Sequence, residues 1–597
     1  MRRLGILGGL LLCAACGDDG GSMGQTETDG ASSSTTGGAD GPVATSTVAD
    51  DSGTTNGSDD STGEPPVNEP PVAVFEVSTY SGAGPFTVDL DASASSDPDG
   101  TIVSWEWTFD DGTTAAGQQV SHTFEDGGCH SIDLVVTDDA GATGAAADMV
   151  AVVLGAPMTP VDAMVDTAPL PSAVLPRDVA TNEGTARFSG TLNSTGWGEV
   201  VAEIVSEKVV VGTAHQLVCA ADAPWTFEVN LPVPAERTSF EVRLSAGLGE
   251  LREPIMTVPD VVAGDVYIVQ GQSNAVSSQY NGDANVDQGP FIRTFNGTQW
   301  VVANGNAGGE NSNGGIGQWP MRMSGALSQA HEMPIAIINA ANGGQPIGFF
   351  QRNDDNPLDT GNNYGRLLTR IQAADLQQGI RAILWYQGES DGGNFQAHHD
   401  GFLALVDDWK VDYGPIERIY VTQIRAGCSG NLIGTQEVQR TLPDTFPEMT
   451  VMSTTALDGH DGCHYAYAEG YEELGNRYAG LLGRDLYEES PANDVQPPNP
   501  ASAQFAAGGT QILVTLRNAA STVTWQDGAQ ADFQVDGAGV TVMSGSAAGN
   551  VVTLQLSGDG SAATGLTYFG RTGAGQWVTN ENGIGMLEFQ ALPIDPE

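Results

Sequence analysis

Basic residues are scarce in this chain: 22 Lys and Arg stand against 75 Asp and Glu in 597 residues, a formal net charge of -53. A surface of that sign repels phosphate backbones and anionic lipid headgroups, which excludes nucleic acid and acidic membrane surfaces as partners. The acidity is spread along the chain and reads as a solubility device. Long apolar runs are missing too. The stretch Leu4 to Leu12 is too short to cross a hydrocarbon layer of ~30 Å as a helix, but it suits the apolar core of an export signal behind Arg2 and Arg3. Cysteine is rare, with six in all. The four beyond the N-terminal pair, Cys129, Cys219, Cys428 and Cys463, show no CxxC spacing, so no metal site is indicated.

Export implies an oxidising compartment, where cysteines are read first as disulfides. Cys428 and Cys463 fall in one module, in loops after predicted strands, and are expected to pair. Cys129 and Cys219 fall in different modules and are expected as free thiols. The small residues before Cys16 resemble a bacterial lipobox, with Cys13 where Leu is usual. That resemblance makes residues 1–16 the signal peptide and lipobox and implies cleavage before Cys16, acylation of Cys16 as the new N-terminus, and a lipoprotein of the cell envelope or surface, periplasmic or extracellular. Residues 17–70 are Ser, Thr, Gly, Asp and Pro with almost no large apolar side chain, so nothing offsets the entropy of ordering them. They read as a disordered tether, and the lipid anchor as the only membrane contact.

Residues 71–154 alternate apolar and polar positions in short runs, such as Phe86-Thr87-Val88-Asp89-Leu90 and Ile132-Asp133-Leu134-Val135-Val136, between Gly/Asp/Pro turns. Period-two patterning of this kind predicts a small β-sandwich. Ser95-Ser96-Asp97-Pro98-Asp99-Gly100 and Trp107-Thr108-Phe109-Asp110-Asp111-Gly112 resemble the PKD repeat. Asp97 and Asp99 are read as turn formers rather than calcium ligands. Residues 165–262 read as a second β-sandwich, and residues 491–597 as a third β-rich module.

Between them, residues 263–490 change pattern. Apolar strands at 266–269, 335–338, 382–386, 419–424 and 450–452 alternate with helical segments at 322–331, 367–378 and 402–409. A parallel sheet wrapped by helices on both faces follows. A last helix carries Tyr467, Tyr471, Leu474, Tyr478 and Leu481 as one apolar stripe.

In such sheets reactive groups gather beyond the carboxyl ends of the strands. Ser273 follows the first strand, Gly343-Gly344 the second, Gln387-Gly388-Glu389 the third, and Asp461 and His464 the last. A serine hydroxyl needs a base to take its proton, and His464 is the best-placed candidate. Asp461, three residues earlier, would fix the imidazole tautomer. His460 and Asp458 are the nearby alternatives. Oxyanion donors are the N–H of Ser273, that of Gly343 or Gly344, and the Gln387 amide. Glu389 is assigned to buttressing these loops, since a carboxylate beside an oxyanion would oppose catalysis.

Gly264 to Asn274, Gly343-Gly344-Gln345-Pro346-Ile347, Trp385-Tyr386-Gln387-Gly388-Glu389-Ser390-Asp391 and Asp461-Gly462-Cys463-His464 resemble the sialate O-acetylesterase group of the SGNH hydrolases, which includes acetylxylan esterases. The likeness covers roughly 170 to 590, because Trp577 to Gly583 also looks like the end of such proteins. It implies a flavodoxin-like, three-layer α/β/α catalytic domain flanked by β-sandwiches. It also implies a Ser273/His464/Asp461 triad, an oxyanion hole from Gly343 or Gly344 with Gln387, an acetylated carbohydrate as substrate, and no cofactor. The Gly/Asn-rich segment between Ser277 and Trp319, and Gln345 where the group often has Thr, depart from the pattern at the mouth of the site. Two rival readings are a non-catalytic glycan-binding adhesin and a lipase, thioesterase or peptidase on the same fold. The four clusters occurring together oppose the first, and no apolar lid supports the second.

Overall fold

One strand, Leu251–Gly271, organises the protein. A computed structural model describes residues 67–219, 223–278, 284–425, 428, 430, 432–570 and 575–597. The segments expected as export signal, acylation site at Cys16 and tether, up to residue 66, lie outside them. The first half of the long strand pairs antiparallel with Phe240–Leu248, and burial there follows no continuous run. From Val261 every residue to Gly271 is buried, as expected where helices cover both faces. The boundary placed at 262/263 therefore falls inside a continuous strand, and no linker separates the second β module from the parallel sheet.

In that sheet the parallel strands lie in the order Ile292–Phe295, Ile335–Asn339, Leu251–Gly271, Ile380–Tyr386, Arg418–Thr422 and Met449–Met452. Alternate residues of each strand feed two cores. Val266, Ile268, Ile383 and Trp385 pack with Leu367, Ile371, Phe402 and Trp409 on one face. Tyr267, Val269, Leu384 and Tyr386 pack with Trp319, Leu327, Leu474 and Tyr478 on the other. Helices thus cover both faces. Where the long strand begins its parallel pairing with Ile335–Asn339, buried Asp265 accepts from Arg177 Nε and Arg381 NH1 at 2.9 and 2.7 Å, tying the second β module to the parallel sheet.

Three elements differ from expectation. The edge strands Ile292–Phe295 and Trp300–Val302 form a hairpin inside the Gly/Asn-rich segment. The helix Ile433–Thr441 buries Gln436 and Gln439, whose amides bond the backbone of Ile424, so it shows no apolar stripe. The aromatic stripe is buried as predicted, but Tyr467–Tyr471 is a distorted turn with Glu469 at φ +70°, and the regular helix is Glu472–Leu486. No helix among the described residues is long and apolar enough to cross a membrane.

The N-terminal module packs a three-stranded against a five-stranded sheet around Val88, Leu90, Trp107, Phe109 and Leu134. Asp97 accepts the N–H of Asp99 at 3.4 Å, and Asp99 that of Glu69, from a separate segment, at 3.2 Å. Cys129 and Cys219 are not free thiols: they form a disulfide that joins this module to the next. Their separate modules hid the pairing, but the modules touch, with Ser81 Oγ donating to Glu199 Oε1 at 3.1 Å and the Tyr80 ring 4.0 Å from His215. The bridge spans 90 residues of sequence, and a loop of that size stabilises by about 4.6 kcal/mol in the chain-entropy account. Replacing both cysteines by Ser is expected to lower the thermal midpoint by several degrees in scanning calorimetry; an unchanged transition would mean that the docked interface alone holds the pair together.

The C-terminal module packs a five-stranded sheet against a three-stranded one around Ile512, Val514, Leu554 and Tyr568. It docks by a two-way bond in which the Gln423 amide pairs with the backbone of Glu588, at 2.9 Å in both directions.

Candidate active site

The long strand ends where only glycine fits. Gly271 has φ +133°, and a Cβ there would lie 2.1 Å from the Tyr386 carbonyl oxygen. This close approach lets Gln272 N–H donate to Tyr386 O at 2.9 Å and turns the chain into the short helix Ser273–Val276. Ser273 is its first residue, so its N–H has no intrahelical acceptor. The side chain is half-buried. Gly343, beyond the neighbouring strand, comes so close that a Cβ on it would sit 3.9 Å from Ser273 Cβ.

Asn274 locks the turn to the histidine loop. Its Nδ2 donates to Cys463 O at 3.2 Å and to Glu389 Oε1 at 3.1 Å, while Oδ1 accepts from Tyr471 Oη at 2.8 Å. The residue after Ser273 thus bonds the residue before His464. The Cys428–Cys463 disulfide ties the same loop to the segment following Arg418–Thr422. Asp461 Oδ1 accepts the N–H groups of Cys463 and His464, both at 2.8 Å, and Oδ2 lies 3.6 Å from His464 Nδ1. Those donated backbone bonds, His464's first and then Cys463's, hold the Asp461 carboxyl below the usual range. At 3.6 Å the pair is an ion-pair contact rather than a hydrogen bond, and catalytic contacts commonly run long without substrate. His460 is committed elsewhere: Arg425 donates to its Nε2 at 2.6 Å. An arginine can only donate, so that nitrogen is an acceptor.

Gln387 is buried, with its Nε2 donating to Asp391 Oδ2 at 2.9 Å and to Gln345 O at 3.3 Å. It therefore touches the loop that carries Gly343 and Gly344. Sequence reasoning did not single out Asn274, Asn339 or Glu310. Asn339 Nδ2 donates to Ala275 O and Ile316 O at 3.0 and 2.9 Å. Glu310 accepts from Asn342, Asn363 and Arg366 at 2.6, 2.9 and 2.8 Å. Asn274 adjoins the serine and could have been noticed; nothing in the sequence pairs Glu310 with residues more than thirty positions away.

Glu389 is fully buried, and burial pushes its carboxyl up from 4.5 to about 7 against the opposing bond from Asn274. A raised folded-state pKa means stability present below the unfolded value and lost as pH climbs through the folded one. For Glu389 the loss runs from pH 4.5 to about 7 and amounts to roughly 3 kcal/mol. Glu389→Gln, which can still accept from Asn274, is expected to flatten that slope in urea unfolding series across this window. An unchanged slope would place the carboxyl at an ordinary pKa.

Residues 263–483 match the profile of a family described as carbohydrate esterase, sialic acid-specific acetylesterase. Residues 68–153 match that of the PKD domain. Among solved structures, a carbohydrate acetylesterase from Xanthomonas citri is 17% identical over 71% of this chain and 98% of that one, with a TM-score of 0.52, and shares the fold. A protein from Arabidopsis thaliana is 19% identical over 37% and 98%, with a TM-score of 0.32. The PKD1 domain of a Vibrio cholerae metalloprotease is 33% identical over 14% and 98%, with a TM-score of 0.13. Residues 263–483 thus carry a region of the sialic acid-specific carbohydrate esterase family, preceded by a PKD domain at 68–153.

Proposed function

We propose that the protein is a serine O-acetylesterase of the SGNH type that removes acetyl groups from acetylated sugars of sialic acid or xylan type. The observation that carries this reading is the bond from Asn274 to Cys463 O, which joins the Ser273 turn to the His464 loop. Ser273 Oγ attacks the acetyl carbonyl carbon while His464 Nε2 takes its proton. Asp461 keeps the other imidazole proton on Nδ1 and stabilises the imidazolium. The oxyanion is held by the N–H of Ser273, that of Gly343 or Gly344, and the Gln387 hydrogen now given to Gln345 O at 3.3 Å. Collapse expels the sugar oxygen, which takes the proton from His464. A water, giving its proton to His464, then attacks the acyl-Ser273 ester; collapse breaks the bond from the acyl carbon to Ser273 Oγ and releases acetate, and His464 returns the proton to Oγ. No step calls for a cofactor.

Two disulfides among the described residues support an oxidising compartment, in keeping with export and anchoring through Cys16. Acetate release by the purified protein from acetylated xylan, acetylated sialic acid and acetylated pectin tests the reading. Release from at least one is expected; binding of these glycans with no acetate released would favour an adhesin.

A further inference from the structure

Behind Gln387 lies a buried carboxylate that the reaction above does not use. Asp391 accepts from three donors on three elements: Ile347 N–H at 2.7 Å through Oδ1, and Gln387 Nε2 at 2.9 Å and His398 Nδ1 at 2.8 Å through Oδ2. Asp391 and His398 are almost completely buried, their side chains 4% and 1% exposed. Two of these bonds end on the loop that carries Gly343: one on Ile347 directly, and the other through Gln387, whose second hydrogen goes to Gln345 O at 3.3 Å. Ile347 anchors the loop directly, and the Gln387 bond to Gln345 O anchors it until that hydrogen turns to the oxyanion, while Gly343 lies against Ser273.

A carboxylate is acceptor-only, so it can meet all three donors at once, and it forces the Gln387 amide to face it with nitrogen rather than oxygen. The supporting bonds run in one consistent direction. His398 has its proton on Nδ1, leaving Nε2 to accept from Gln439 Nε2 at 3.5 Å; that amide also donates to Gln387 O at 2.9 Å, and Gln439 Oε1 accepts from Ile424 N–H at 2.9 Å. Gln387 Oε1 is the one atom of this amide chain left without a partner among the described residues, and bonds that all run one way still fix geometry that one loose amide would not.

We propose that Asp391, backed by His398, is a positioning residue of the oxyanion hole: it sets the Gln387 amide and holds the Gly343–Ile347 loop at its distance from Ser273. The inference rests on the esterase reading. Asp391→Asn keeps the shape but presents an NH2 group to donors, so at least one bond is lost. In a folded Asp391→Asn protein kcat for an acetyl ester is expected to fall about 100-fold, with KM changed by less than about threefold, because misplaced oxyanion donors act on the transition state alone. Wild-type kcat in the folded variant would overturn the proposal. Hydrogen exchange, which needs no turnover, separates this inference from the reading it rests on: the Ile347 amide is expected to exchange about tenfold or more faster in Asp391→Asn, and unchanged exchange overturns the proposal whether or not the wild type is active. If Asp391→Asn does not fold, His398→Phe removes one donor and keeps a ring beside Phe402. A fall in kcat of about tenfold at constant KM then supports the role, and no fall refutes it.

Discussion

Ser273→Ala is expected to lower kcat for acetyl ester hydrolysis by on the order of 10⁴-fold or more, with KM little changed and the fold intact. The serine is half-buried at the head of a four-residue helix, and its side chain is absent from the bonds that hold the turn. Those are made by Asn274, Gly271 and Gln272. Removing one oxygen should therefore leave the site assembled and idle. His464→Ala is expected to cost nearly as much, and the double variant no more than the worse single one, because nucleophile and base act as a unit. A Ser273→Ala protein that kept its rate on a small acetyl ester, against controls for contaminating esterase, would remove the serine from the mechanism.

Asp265→Ala is expected to cost about 3 to 5 kcal/mol of stability, the largest loss foreseen for any single substitution here. Its carboxylate, 1% exposed, meets Arg177 and Arg381, themselves 8% and 6% exposed. Burial alone would raise its pKa, but the Arg177 bonds and both guanidinium charges outweigh it and hold the carboxyl below the usual range. Deleting it leaves Arg177 without its buried counter-ion and Arg381 with Glu417 alone, whose Oε1 lies 2.7 Å from its Nε. The sign of the pH effect follows. A depressed folded-state pKa contributes stability above the unfolded value, near 4, and that contribution is lost as pH falls through the folded one. In urea unfolding the variant should be less stable than wild type at pH 7, with the gap narrowing in acid. A gap that stayed constant down to pH 2 would mean that the charge contributes nothing.

Much of this architecture was legible in the sequence, for physical reasons. Strands buried on both faces read as apolar runs, so Val266 to Val269, Ile335 to Ile338 and Ala382 to Tyr386 stood out. Where period two was clean, as in Phe86 to Leu90, a half-buried strand was equally plain. What stayed hidden was whatever depends on distant partners. The helix Ile433–Thr441 is lined by buried glutamines that bond backbone, and no periodicity scan values a buried amide. The hairpin of Ile292–Phe295 and Trp300–Val302 sits among glycines and asparagines that read as loop. The Cys129–Cys219 bridge required knowing that two modules touch. The chemically suggestive residues of the site could be named from their places after the strands. Their supports, Asn274, Glu310 and the Asp391–His398 pair, could be assigned only once the edge was assembled.

The central claim, that Ser273 is an activated nucleophile, is tested most directly by trapping it. The purified protein is treated with a small alkyl fluorophosphonate, which phosphonylates an activated serine oxygen with loss of fluoride, and the adduct is mapped by peptide mass spectrometry. The account predicts a single adduct, on Ser273, forming in step with loss of esterase activity and slowed in His464→Ala. Complete inactivation with the adduct on another residue, or an active enzyme that leaves Ser273 unmodified at saturating reagent, would contradict it.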